Sequence, residues 1–203
     1  MKLYFQKGIK SKKDIEEIHL LDKLTYSEKY LLDIDDYEKR IERNPNQIFI
    51  VRNSMRNVVG YVSIVPLDYD SYIRIKNGET DKDVITIDKI IKNTESGQYF
   101  YFDSVIVDPA YRRYKIGKKL VGFAVNEVIK DNKNIKRIMA HAISKGGYSL
   151  CKRYGLELKK NLDKTTVVLE RSFSRKAPNR KKIYKDKDKR EVYKKMKFYT
   201  NNY

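Results

Sequence analysis

The chain has 203 residues, 40% of them hydrophobic and 35% charged, with 45 Lys and Arg against 27 Asp and Glu for a net charge of +18. That is too apolar for a fully disordered chain and fits one domain of about 150–170 residues plus an appendage. The basic excess points to an anionic partner: a phosphate ligand, a nucleic acid or an acidic surface.

Other bounds are quickly set. The single cysteine, Cys151, excludes an intrachain disulfide framework and a Cys-rich metal site, and two histidines, His19 and His141, argue against a His-based zinc or iron centre, so no metal is expected. The start, MKLYFQKGIKSKK, lacks the apolar stretch of a secretory signal, and the uncharged run Val58–Leu67 is far too short for a bilayer span. A soluble, cytoplasmic protein without membrane contact is expected. The charge is uneven: residues 171–203 carry a net +10, leaving +8 for residues 1–170.

In chain order, Lys2–Ile9 reads as a short strand. Ser11 offers an N-cap, and Ile15, Ile18, Leu21 and Leu24 recur at helical spacing, so the pattern predicts a helix over Lys12–Tyr26. A second helix is expected over Asp35–Arg43, stopped by Asn44-Pro45. Gln47–Arg52 and Val58–Val65 read as an antiparallel hairpin. Residues 66–98 form a long polar insertion in which Val84–Ile91 suits a short helix or strand. Gln98–Val107, rich in aromatic and β-branched residues, is the strongest strand of the chain. Ile116–Ile129 is a helix with Ile116, Leu120, Phe123, Ala124 and Val128 on one face. Arg137–Ile143 is a strand, Ser144–Tyr154 a helix stopped by Gly155, and Leu156–Lys159 with Thr165–Arg171 a closing pair of strands. Adjacent strands early in this order suit antiparallel pairing, and the later strand–helix–strand step suits a parallel one with a right-handed crossover. The fold class is α/β: a mixed, mostly antiparallel sheet with helices on both faces.

Tyr99–Gly122, YFYFDSVIVDPAYRRYKIGKKLVG, carries the chemistry. A strand ends at Asp108-Pro109, a basic turn follows, and a helix begins near Ile116. Such a turn aims backbone N–H groups at one point, and the helix dipole adds positive potential there, which makes an anion site suited to phosphate or pyrophosphate. Arg112, Arg113, Lys115, Lys118 and Lys119 add side-chain charge. An ordinary turn with a solvated basic face is the alternative.

VIVDPAYRRYKIGKKLV resembles motif A of the GNAT superfamily of N-acetyltransferases, whose pattern is a hydrophobic strand, V-x-P-x-Y/F-R, then Q/R-x-x-G-x-G/A at the helix start. Arg112 takes the Q/R position and Gly117 the final G/A position, while Lys115 stands where the family usually has its first glycine. SLCKRYGLEL, residues 149–158, is similar to the F-Y-x-K-x-G-F segment at the end of the family's next helix. The order of elements matches from near residue 1 to about residue 171. The resemblance therefore implies an acetyltransferase domain over 1–171 with a basic, Tyr/Lys-rich extension over 172–203.

The resemblance also implies the mechanism. Acetyl-CoA, the acetyl donor, pairs its pantetheine with the backbone of Val105, Ile106 and Val107. Backbone groups from Arg113 through Tyr114, Lys115, Ile116 and Gly117 to Lys118 hold the pyrophosphate, with Arg112 beside them, and Ser144 matches a position where relatives place a cofactor-contacting Asn. Relatives often carry bases at the positions of Tyr101 and Asp103, which share a strand face by alternation. Asp103 is the expected general base, through a water; Tyr101 lines the acceptor pocket or assists. Cys151 stands where many relatives use a tyrosine as the leaving-group acid. An ordinary thiol titrates at about 8.5, so it could donate a proton, with Tyr148 or Tyr154, one helical turn away on either side, or a water as substitutes; plain packing of Cys151 is the other reading. His141 suits a core or capping role.

Acceptor choice in this family lies in the link Tyr26–Asp36 and the 66–98 insertion, both with acidic residues, including Asp33, Asp35, Asp68, Asp81 and Asp83, which suits a cationic amine. The expected activity is N-acetylation of a primary amine, on a small molecule or a protein. Two alternatives stay open: transfer to an RNA-linked amine such as aminoacyl-tRNA, with the basic tail contacting RNA, and a non-catalytic member that binds cofactor or nucleic acid only. A homodimer packed through the tail is also open.

Overall fold

Local caps and paired apolar rows set several elements of the first half. In the computed structural model, which describes residues 1–26, 28, 31–79, 84–92 and 97–173, Ser11 caps the first helix: its Oγ accepts the Asp14 N–H and donates to Asp14 Oδ1. The elements are β1 (Tyr4–Lys7), α1 (Lys12–Lys23), α2 (Ile34–Arg43), β2 (Ile48–Arg52), β3 (Val58–Leu67), α3 (Tyr69–Asn77), β4 (Tyr99–Val107), α4 (Ile116–Asp131), β5 (Arg137–Ala142), α5 (Lys145–Arg153), β6 (Glu157–Asn161) and β7 (Val167–Ser172). They fall into two units, Met1–Ile135 and a second beginning at Lys136. The acidic positions Asp81 and Asp83 and residues 174–203 of the basic extension lie outside the described residues.

In the first unit β1, β2, β3 and β4 pair in that order, each pair antiparallel, so the expected hairpin of β2 and β3 is present. One face of this sheet packs Ile48, Ile50, Tyr61 and Ile106 against Ile15, Ile18 and Leu21 of α1 and Tyr37 and Ile41 of α2. The opposite face takes α4, where Phe123 meets the rings of Phe5 and Phe49 at 5.7 and 6.1 Å between centroids. Within α4, Ile116, Leu120, Ala124 and Val128 are buried as the spacing predicts, with Val121 and Val125 joining them; Phe123 itself is half-buried. In the second unit β5 pairs β7 and β7 pairs β6, both antiparallel.

The polar insertion contains a helix that its composition does not announce, α3. Asp68 Oδ1 accepts the Ser71 N–H at 2.7 Å, Tyr72 and Ile75 are fully buried, and Gly78, at φ 105°, ends α3 in the left-handed region that glycine adopts without strain. Within 84–91, Ile87–Lys89 forms a single 3-10 turn and Ile90 makes an isolated antiparallel bridge to Leu67. At Gly60 on β3 a Cβ would come within 2.8 Å of the Ile106 carbonyl oxygen, so only glycine lets the two strands lie this close.

Candidate functional site

The site is organised by one irregularity in β4. Pairing with β3 runs Ser63 opposite Ser104 and then Ile64 opposite Phe102, so Asp103 is an extra residue with no partner across the ladder. A bulge of this kind breaks alternation and re-aims side chains. Tyr101 and Asp103 do share a face, as alternation predicts. Beyond the bulge Ser104 and Ile106 join that same face, the one covered by α1 and α2: Tyr26 and Ser104 share a hydroxyl–hydroxyl hydrogen bond at 3.3 Å, and Ile106 sits in the core with Ile18 and Tyr61. Four of β4's six residues from Tyr101 to Ile106 thus face α1 and α2.

Asp103 lines a small open depression with Tyr37, Arg40, Gln47, Ser63 and Val65. Gln47 is buried; its Nε2 donates to the Arg40 carbonyl at 2.8 Å, while its Oε1 has no donor among the described residues. Beside this depression lies a polar cluster that the sequence reading did not contain. Asp22, on the last turn of α1, is 6% exposed and accepts a short hydrogen bond from the Tyr61 hydroxyl of β3. Tyr61 is in turn hydrogen-bonded to Tyr37 of α2, and both tyrosines are buried. Burial pushes the Asp22 carboxyl from its usual 3.8 up to about 7; the charge of Asp103 pushes the same way, and the Tyr61 hydrogen bond opposes them. The two tyrosine hydroxyls are held well above 10 by burial first and by their acidic and tyrosine neighbours second. No local motif marks Asp22: it reads as a solvated helix residue between Leu21 and Lys23, and only the folding of α1 onto β3 and β4 buries it.

At the end of β4 the chain turns through Pro109–Tyr114 into α4. The turn is braced at four points. Asp108 Oδ1 accepts the Ala110 N–H at 2.8 Å; the Asp108 N–H donates to the Val59 carbonyl at 3.0 Å; Asn53 Nδ2 donates to the Tyr111 hydroxyl at 3.0 Å; and Arg112 Nε donates to the Val107 carbonyl at 3.1 Å. Arg112 therefore spends its Nε on one of the carbonyls assigned to the pantetheine, which keeps a second lone pair. Lys115 sits at φ 57°, ψ 26°, the left-handed conformation that the family's usual glycine takes freely.

The first turn of an α-helix carries N–H groups with no acceptor inside the helix, and the dipole makes that end positive. At the start of α4 this end is also rich in cations: Arg112, Arg113, Lys115, Lys118 and Lys119 are all exposed, and no carboxylate pairs with Arg113, Lys115 or Lys119 among the described residues. A Cβ on Gly117 would meet only Val107 Cγ2, at 3.6 Å, so the backbone stays approachable. The residues present fit a pyrophosphate. Of the three strand residues assigned to the pantetheine, Val105 is exposed, Ile106 buried and Val107 half-buried.

The second unit holds the remaining sequence candidates. Ser144 is the N-cap of α5; its Oγ accepts the Gly147 N–H at 3.1 Å, so its visible work is capping, with the hydroxyl hydrogen still to donate. Tyr148 is buried. Cys151 is half-buried, and burial pushes its thiol up to about 12, so it gives up a proton far less readily than an ordinary cysteine. His141 and Tyr154 are half-buried, and Tyr154 closes the helix ahead of Gly155, at φ 80°. No group of three or more His, Cys, Asp or Glu side chains is placed to hold a metal ion among the described residues, and no helix there is long and apolar enough to cross a membrane.

Comparison with known proteins supplies the family. The sequence model of the acetyltransferase (GNAT) family matches residues 13–147. No curated protein matches the sequence. Among solved structures, the chain is similar to the loading GNATL domain of CurA from Lyngbya majuscula, at 15% identity and a TM-score of 0.67 over 85% of this chain and 98% of that one. It is similar to a chain of the NatC complex bound to Gag peptide and CoA, at 14% identity and a TM-score of 0.62 over 86% and 100% of the two chains. It is also similar to the PaiA N-acetyltransferase from Thermoplasma acidophilum in complex with coenzyme A, at 16% identity and a TM-score of 0.56 over 85% and 100%. At these identities the likeness shows the fold, which is the α/β architecture expected from the sequence.

Proposed function

The chain belongs to the GNAT acetyltransferase family, and on that premise we propose that it is an acetyl-CoA-dependent N-acetyltransferase that acetylates a primary amine by direct attack on the thioester. The single observation that carries the reading is the pairing, along one strand and the turn after it, of a bulged carboxylate at Asp103 with a basic helix start that fits a pyrophosphate.

Acetyl-CoA supplies an activated acetyl group as a thioester. The β4 backbone at Val105, Ile106 and Val107 would hold its pantetheine. Backbone groups from Arg113 to Lys118 would hold its pyrophosphate, with Arg112 fixing the turn they belong to. Such binding chiefly orients the thioester carbonyl next to the amine. An ammonium has no lone pair, so it must first give one proton to a base; the Asp103 carboxylate takes it, through a water. The freed lone pair forms the C–N bond, the C–S bond breaks with its electrons on sulfur, and the amine's second proton is lost. Of the two protons released, one ends on the CoA thiol and one in solvent. Tyr148 and Cys151 are the candidate donors to the thiolate, and burial, which pushes the Cys151 thiol up to about 12, disfavours Cys151.

The test is release of free CoA thiol across a panel of polyamines, aminoglycosides, peptides and aminoacyl-tRNA, with titration calorimetry of acetyl-CoA alongside. Saturable thiol release with at least one amine, lost by about a hundredfold or more in Asp103→Asn, is expected from removal of a general base. No acetyl-CoA binding up to millimolar concentration would refute the donor assignment, and an unchanged rate in Asp103→Asn would remove Asp103 as the base.

A further inference from the structure

The turn assigned to the pyrophosphate has no anchor of its own in the core. None of its residues from Pro109 to Tyr114 is buried, and Lys115, at the N-cap of α4, makes no side-chain cap. Three of its hydrogen bonds stay inside the turn and the end of β4: Asp108 Oδ1 with the Ala110 N–H, the Tyr111 N–H to the Asp108 carbonyl at 2.8 Å, and Arg112 Nε to the Val107 carbonyl. Bonds of that kind give the turn a shape without fixing its place on the molecule. Among the described residues, two bonds reach another element, and both come from the β2–β3 hairpin. The Asp108 N–H donates to the Val59 carbonyl, and Asn53 Nδ2 donates to the Tyr111 hydroxyl, 58 positions downstream. The second is made by side chains and holds the turn within its own length.

Asn53 is well placed for that role. It opens the hairpin loop and is 7% exposed. Its Oδ1 accepts the N–H groups of Met55 and Asn57 at 3.0 and 3.1 Å. Its backbone closes the loop, donating to the Asn57 carbonyl and accepting the Arg56 N–H, each at 3.0 Å. Nδ2 is then left to reach Tyr111, at 3.0 Å, and the Tyr111 hydroxyl has no other partner among the described residues. Arg56 takes the left-handed conformation, φ 70°, that the last residue of a three-residue hairpin loop adopts. The loop is also held from behind. Arg52 Nη1 donates to the Arg56 carbonyl at 2.9 Å, the same guanidinium pairs with Asp14 and Glu17 of α1, and Glu17 Oε2 accepts the Val58 N–H at 2.9 Å.

We infer that Asn53 is a positioning residue for the pyrophosphate site: through the Tyr111 hydroxyl it fixes where the turn stands, and so where the N–H groups at the start of α4 meet the anion. A turn that must be ordered when the ligand arrives subtracts that cost from the affinity, and a turn already held in place does not. Asn53 acts through Tyr111 and not through contact with the anion. The inference rests on the reading that the start of α4 holds the pyrophosphate of CoA.

The test compares two ligands that share the strand-pairing part and differ in the pyrophosphate. CoA is titrated by calorimetry, and pantetheine, which carries no phosphate, by NMR shifts of the backbone amides. Tyr111→Phe keeps the ring and removes the hydroxyl. It should raise the Kd of CoA by about three- to tenfold, the worth of one hydrogen bond, and leave that of pantetheine unchanged. In an Asn53→Ala background, where the donor is already gone, Tyr111→Phe should change the Kd of CoA no further. Wild-type affinity for CoA in Tyr111→Phe overturns the inference. An equal loss for both ligands also overturns it, because that marks a general loosening of the fold, and so does a Tyr111→Phe loss that is as large in Asn53→Ala as in the wild type. A wild-type protein that binds no CoA overturns the donor reading on which the inference rests, a result distinct from binding that the variants leave unaltered.

Discussion

Replacing Asp22 by Asn makes the protein more stable above neutral pH, by an amount that grows with pH. In the folded chain the Asp22 carboxyl titrates at about 7 in place of its usual 3.8, because burial disfavours its charge. A group raised on folding binds its proton more tightly in the folded state, so between 3.8 and 7 the folded chain holds a proton that the unfolded chain has released. Its ionisation costs nothing extra below 3.8, and the penalty builds as pH rises and is complete once the pH passes 7. Each pH unit of displacement is worth roughly 1.4 kcal/mol, so the full penalty is about 4 kcal/mol. The amide of Asn carries no charge at any of these pH values and still accepts from Tyr61. The assay is urea unfolding of both proteins, followed by far-ultraviolet circular dichroism, at pH 4.5, 6 and 8.5. Titrations of groups that do not interact with Asp22 are common to both and cancel in the difference. A gain of only about 1 kcal/mol at pH 4.5, rising to about 4 kcal/mol at pH 8.5, is expected. A stability difference that does not change with pH would show that Asp22 is not the proton-holding group, and the reasoning from burial would fail.

Two further outcomes follow from particular residues. Lys115 holds a left-handed backbone conformation that costs a side-chain-bearing residue about 1–2 kcal/mol, part of which glycine loses again through its greater freedom when unfolded; Lys115→Gly should therefore raise the urea midpoint, by up to about 1 kcal/mol in stability. The Cys151 thiol, pushed from 9.0 up to about 12 by burial, holds up to about a thousandfold less thiolate at pH 8 than an unperturbed cysteine, so alkylation of the native protein by iodoacetamide should be slower than that of the urea-unfolded chain by at least a hundredfold, and equal rates would contradict the burial.

Much of this architecture is legible in the chain because its signals are local. The Ser11 cap and the spacing of Ile15, Ile18 and Leu21 mark α1, and the aromatic and β-branched run marks β4 to within a residue of Tyr99 and at Val107. Helix α3 carries local signals too, with Asp68 as a cap and Gly78 as a stop, but it buries little beyond Ser71, Tyr72 and Ile75 in a charged stretch, so hydrophobic periodicity alone passes over it. The turn at Asp108–Lys115 and its charge are sequence properties, whereas its bracing is not: Asn53 and Val59, which hold it, come from the hairpin far upstream. The same holds for the Asp22 cluster, whose members stand on four elements separated by up to 81 positions, from Asp22 to Asp103, and meet only through packing.

The bulge in β4 is the feature that joins these levels. Strict alternation would give the α1 and α2 face Tyr101, Asp103 and Val105, and would turn Ser104 and Ile106 toward α4. One extra residue at Asp103 reverses the second half: Ser104 and Ile106 go to the α1 face, and Val105 and Val107 to the other, where Val107 lies 3.6 Å from the position of a Cβ on Gly117. A single strand thereby serves two purposes. Its first half and the bulge bring a carboxylate and a hydroxyl against the tyrosines of α1, α2 and β3, while its last residues run into the start of α4 and the basic turn. Without the bulge, Asp103 and Ser104 would lie on opposite faces, the contact from Tyr26 to Ser104 would be lost, and no acid–hydroxyl cluster would stand beside the strand end that the cofactor reading requires. The chemistry proposed for this chain depends on that one-residue slip in register more than on any single side chain of the motif.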